Sequence, residues 1–236
     1  MSVQLGAMGL DIEVGTLADR LLHDEEGAQW FRAELVVLSS YLESCGLAAH
    51  QEPDICPLFS LEMFGYSGLH YLRRIAAHLN LRQRLPDPGD ENASQDAVLQ
   101  EYFSLLTKPR GSFLSRLFGG SKIVRHYDHL ILHSDAEGFY VPQDFESVLF
   151  PTEHLKIPGG MVGSSQQLLT ETARLAKVLE LPLDLEPESE EVWEAAESQG
   201  IGNTLWQRYG IESYTCLRLY HAAKHSIANS AVIVFT

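Results

Sequence analysis

Cysteine is scarce in this chain. Three occur in 236 residues, Cys45, Cys56 and Cys216, an odd number with no CxxC spacing. That argues against a disulfide framework and for reduced thiols, so a cytoplasmic setting is expected. Long apolar runs are also lacking. No stretch approaches the roughly 18 residues a bilayer requires, and no membrane partner is expected. The opening MSVQLGAMGL has neither the basic start nor the apolar centre of a secretory signal. Bases are outnumbered: 17 Lys and Arg face 32 Asp and Glu, a net charge of -15. A chain so poor in basic surface is expected to have no nucleic-acid partner and suits a basic protein partner. GxSxG and HExxH are absent, so no motif names a reaction, and no cofactor is expected.

What is present is enough for a sizeable core. Hydrophobic residues make up 45% of the sequence, and a chain of this length needs no metal or disulfide to stabilise its core. Leu10, Ile12 and Val14 alternate with Asp11 and Glu13, as in a half-buried strand. Phe31, Leu35, Leu38, Leu42 and Cys45 form a helical stripe within 28–45, with Gly46 as C-cap. Residues 47–60 read as a loop punctuated by Pro53 and Pro57. Helices are expected over 67–81, 96–106, 164–181, 189–198 and 204–229. Ala231–Phe235 reads as a buried strand. The expectation is a single α+β domain over 1–236, with a small, mostly antiparallel sheet under five or six helices. Its sheet would join the N-terminal strand, a central hairpin and the C-terminal strand. Residues 85–94 and 108–125 read as flexible segments, the latter with five bases and no acid.

The central hairpin is His126–Pro142, HYDHLILHSDAEGFYVP. As a strand it would set His129, Ile131 and His133 on one face and Leu130 and Leu132 on the other. His129 and His133 would then stand roughly 13 Å apart by strand rise, too far to share one metal. The tip groups His133, Asp135 and Glu137 as a candidate acid/base set for hydrolysis. His221 and His225, spaced i, i+4 on a helix, are candidate metal ligands if His133 supplies a third. His70, Arg74 and His78 share a helix face that suits an anion or an acidic neighbour, with a solvated face or an internal salt bridge as the plainer readings. Gly159–Ser165 approaches a helix start, where free backbone N–H groups bind phosphate. Gly160, Gly163 and Ser164 are its candidate ligand residues, although no GxxxxGK[ST] accompanies them and Ser164 with Gln167 reads as a capping box.

The segment from Glu180 to Glu197 holds eight acids and no base, with Trp193 inside it. Aromatic anchors ringed by charge are common at protein interfaces. Glu188, Glu190, Glu191, Trp193 and Glu194 are therefore the candidate partner-binding residues.

MGLDIEVGTL, HLILHSDAEGFYVPQDF, GGMVGSSQQLLTE and the terminal AVIVF resemble a family of uncharacterised bacterial cytosolic proteins. The resemblance implies a single domain, with Met8 as an alternative start, and transfers no catalytic residue. Charge and motif together favour a non-enzymatic acidic protein-binding module of the toxin-neutralising immunity kind. A metal-dependent hydrolase and a phosphate or small-ligand sensor are the alternatives.

Overall fold

The computed structural model describes residues 10–88, 92–107 and 125–236. The expected basic stretch before Arg125 and the possible start at Met8 lie outside these residues. Five strands form one sheet: β1 (Asp11–Val14), β2 (Phe59–Glu62), β3 (Phe139–Val141), β4 (Val162–Ser164) and β5 (Ile233–Phe235). Their order is β2-β1-β5-β3-β4. Only the β3–β4 pair is parallel; the other three pairings are antiparallel. The α+β class and the mostly antiparallel sheet are as expected, and the C-terminal strand lies at the sheet's centre.

The apolar pattern explains that position. All three residues of β5 are buried, as a strand covered on both faces requires. On one face Phe139, Val141, Val162 and Val234 pack with Leu17 of α1 (Thr16–His23). Phe31, Leu35, Leu38 and Leu42 of α2 (Glu25–Ser44) complete that layer. On the other face Ile12, Val14, Tyr140, Ile233 and Phe235 meet α3 (Gly65–Arg82), α4 (Ala97–Thr107) and the later helices. These are α5 (Asp128–Ile131), α6 (Ser165–Leu179), α7 (Glu190–Glu197), α8 (Leu205–Arg208) and α9 (Gly210–Asn229). Gly210 to Leu219 are all buried, so α9 is the central helix of this layer. Seven of the nine helices among the described residues run eight residues or more.

The sheet departs from expectation in detail. The expected hairpin has one strand, not two. Residues 128–131 form the short helix α5, because tertiary partners take up the backbone groups a strand would have paired. The buried Glu171 carboxylate accepts the N–H groups of His129 (3.1 Å) and Leu130 (2.7 Å). The buried Arg73 guanidinium donates to the carbonyls of Leu130 (2.9 Å), His133 (2.7 Å) and Ser134 (3.2 Å). The strands β2 and β4 fall where a loop and a glycine turn were expected. The helix expected over 204–229 is broken at Tyr209, whose hydroxyl donates to the Pro86 carbonyl (2.5 Å).

Candidate interaction surface

Of the hairpin-tip residues, His133 and Asp135 line one cavity with His70 and Arg73, while Glu137 stands outside it. His133 is buried and stacked on Tyr140, with ring centroids 4.0 Å apart. Its two ring nitrogens face the carbonyls of Phe139 and Ser134, each at 3.2 Å. Burial drives its pKa down to about 4, against the pull of those carbonyls. Asp135 is held by Arg73 and lies 3.2 Å from His70 Nε2. Glu137 accepts the Gly159 N–H at 3.2 Å. His225 stacks on Phe59 (4.2 Å), and His221 stands edge-on to Tyr220 (5.6 Å). Among the described residues, no three His, Cys, Asp or Glu side chains are grouped to hold a metal ion. Arg74 and His78 both contact Asp96 at 3.1 Å, the internal acidic partner that their helix face suggested.

The glycine turn has its groups taken up by the fold. The Ser164 N–H donates to His129 Nδ1 (2.9 Å), and its hydroxyl donates to the Gln143 carbonyl (2.7 Å) while accepting the Gln167 N–H (3.2 Å). The expected capping box is half present, since the Ser164 N–H that Gln167 would accept goes to His129 instead, while the Gln167 amide donates to Asp144 (2.7 Å). A Cβ on Gly163 would lie 2.3 Å from the Tyr140 ring, so glycine there lets β4 approach β3. Gly160 sits in the left-handed region at φ 65°, as the tight turn requires.

The acidic segment is arranged differently. Leu181, Leu183 and Leu185 turn toward the core and Asp184 and Glu186 toward solvent. In α7, Val192, Ala195 and Ala196 are buried, while Glu190, Glu191, Glu194 and Glu197 are exposed. All eight acids of 180–197 are exposed. The segment runs antiparallel along α9. Glu186 exerts its field on His221, and Glu188 acts on both Arg218 and Tyr214. Further along, Trp193 meets Tyr214 (5.8 Å) and Phe64 (6.1 Å). The Ala195 carbonyl lies over Gly210, and the Gln199 amide donates to Glu212 (2.7 Å). Burial pulls Arg218 down to about 10, opposed by Tyr214, Glu188 and Glu62. Trp193 is thus pinned on one side yet remains 43% exposed, whereas Trp206 is buried in the core.

From His221 to Gly210 is about 16 Å by helix rise. Five exposed carboxylates, those of Glu186, Glu188, Glu190, Glu191 and Glu194, belong to the segment between the residue that faces His221 and the one over Gly210. One negative charge per about 3 Å is close to the 3.4 Å per phosphate of a single DNA strand, while a duplex carries one per 1.7 Å. Sequence reasoning shows the residues of this ridge as an acidic run. It missed the supporting groups beneath, Arg218, Tyr214 and Gly210, because nothing in the spacing says which segment α9 carries.

The fold and this ridge define an acidic α+β protein whose most concentrated charge lies on an exposed face. The chain belongs to the family described as "putative DNA-mimic protein", which it matches over residues 8–235. No curated protein matches it, and no solved structure does. The family overturns three functional expectations: the toxin-neutralising immunity protein, the metal-dependent hydrolase and the phosphate or small-ligand sensor. It also corrects the expected absence of nucleic acid from the account of partners, since nucleic acid is what members are described as imitating. From the sequence, the negative charge reads as a bar to binding DNA and as suited to a basic protein partner, not as a likeness of DNA. The same charge is also what a likeness of DNA requires. Among the described residues no helix is long and apolar enough to cross a membrane.

Proposed function

We propose that this protein imitates DNA toward a DNA-binding protein, and that the ridge from Glu180 to Glu197 is the imitating surface. The observation that carries the reading is the density of exposed carboxylates along α9, on average one per about 3 Å and near that of phosphates on one strand, on a chain belonging to a family described as DNA mimics. Glu188, Glu190, Glu191 and Glu194 take the place of phosphates in a basic groove, and Trp193 supplies the apolar anchor. The chain acts as one α+β domain, a reading supported by the sheet that both ends of the described chain share. Its few, widely spaced cysteines support a cytoplasmic setting.

Such a surface repels itself, and the fold offsets this with apolar contacts. Leu181, Leu183, Leu185 and Val192 anchor the segment to the core, so the acids need no neighbouring base to stay in place. The backbone that carries the carboxylates is already held by these contacts, so docking orders only their side chains.

The test is competition. DNA-binding proteins from a host lysate are loaded on immobilised duplex DNA, and the purified protein is applied as eluant. The reading predicts selective elution of a small set of proteins. It also predicts loss of that elution when Glu188, Glu190, Glu191 and Glu194 are all changed to Gln. Elution that the fourfold variant reproduces in full would overturn the assignment to this ridge.

A further inference from the structure

On the far side of the sheet from the acidic ridge, α2 presents apolar side chains to solvent. Trp30 is 70% exposed, Val36 65% and Val37 37%. Ala33, between them, is exposed as well. Ala33 lies at the centre of this face. At 100° per residue, Glu26, Gln29, Trp30, Val36, Val37 and Ser40 all fall within about 60° of it, three on each side in sequence.

Charge distinguishes this face from the rest of the chain. Between Gly27 and Leu42 only Arg32 and Glu34 are charged, in a protein of net charge -15. Both stand at the edges of the face, about 100° from Ala33. Both are also answered within the chain: Arg32 donates to Asp54 at 2.7 Å, and Glu34 lies within the field of Arg20. The face itself carries one acid, Glu26, about 10 Å from Ala33 by helix rise, so a basic DNA-binding partner finds little negative charge to hold here. Two copies of this chain repel each other over most of their surfaces and meet with least repulsion on this face.

We infer that the outward face of α2 packs antiparallel against the same face of a second copy of this chain, about a two-fold axis at Ala33. A two-fold contact needs a self-complementary surface. The axis places Trp30 beside Val37 of the partner subunit and the two Ala33 residues at the crossing. A small residue there lets the helix axes approach to the usual 8–10 Å. Trp30 supplies the largest share of the buried area. A single helix pair belongs at the small end of specific interfaces, so the dimer is concentration-dependent.

Sedimentation velocity of the full chain across the micromolar range tests this. The wild type is expected to pass reversibly from monomer to dimer. Trp30→Ala is expected to weaken association roughly tenfold or more, and Ala33→Arg to leave a monomer. Both positions are exposed, and an unchanged circular dichroism spectrum confirms that the variants fold. In a Cys45→Ser background, Ala33→Cys is expected to link to itself under mild oxidation, while Ala48→Cys does not. A wild type that stays monomeric throughout, or a dimer that Ala33→Arg leaves intact, would overturn the inference.

Discussion

Gly210 passes so close beneath Ala195 that a Cβ built on the glycine would lie 1.7 Å from the Ala195 carbonyl oxygen. No side chain fits there, and the oxygen belongs to backbone, which cannot swing aside as a side chain can. This contact seats α7 on the N-terminal end of α9 and so fixes the height of the acidic ridge. Gly210→Ala is expected to destabilise the protein by about 1–3 kcal/mol, the usual cost of overpacking. It is also expected to weaken competition with DNA, because α7 must lift. A thermal melt and the elution assay read the two effects separately.

Arg73 organises the segment that sequence periodicity assigned to a strand. It is 2% exposed and serves three carbonyls and the Asp135 carboxylate. Burial pulls its pKa down to about 10. Replacing it by Met leaves those buried carbonyls without donors, and a loss of about 3–5 kcal/mol is expected. Arg73→Lys is expected to recover little, since one ammonium cannot match the planar fork that reaches all four groups. Chemical denaturation of the two variants checks this.

Much of the helical layer was legible because its signals are local. The stripe Phe31, Leu35, Leu38 and Leu42 shows α2, and Ser164 before Gln167 marks the start of α6. The unbroken run Ala231–Phe235 shows β5, a strand covered on both faces. What escaped depends on contacts distant in sequence. Residues 128–131 read as a strand because Leu130 and Leu132 alternate with histidines. Glu171 and Arg73, about 40 and 60 residues away, hold them as a helix. Phe59–Glu62 is a strand because the backbone of β1 is there to pair with it, from Asp11↔Glu62 to Val14↔Phe59. The ridge residues were legible as an acidic run; their alignment along α9 was not.

Stability is expected to depend on pH through Glu171. Burial raises its carboxyl to about 8, opposed by the two backbone N–H groups it accepts. The folded state therefore holds a proton that the unfolded chain releases from about pH 4.5 upward. That stabilisation is complete below pH 4.5 and is lost as pH rises toward 8. His133 acts in the opposite sense. Its folded pKa of about 4 lies below the unfolded value of 6.5, so its contribution is lost as pH falls from 6.5 to 4. The two effects overlap below pH 6.5. Between pH 6.5 and 8 Glu171 acts without His133, and a loss of about 2 kcal/mol is expected. Glu171→Gln should flatten the melting temperature across that window.

The central claim is that the carboxylates of the ridge stand in for phosphates. It is tested most directly with one DNA-binding protein recovered in the elution assay and a fluorescently labelled duplex. Displacement of the duplex by this chain is followed by anisotropy over a series of salt concentrations. The account predicts that the chain's affinity for that protein falls steeply with salt, as an anionic surface held by Lys and Arg requires. It further predicts that changing Glu188, Glu190, Glu191 and Glu194 to Gln abolishes displacement while the melting temperature holds. Displacement by the fourfold variant equal to that of the wild type, with the same salt dependence, would contradict it.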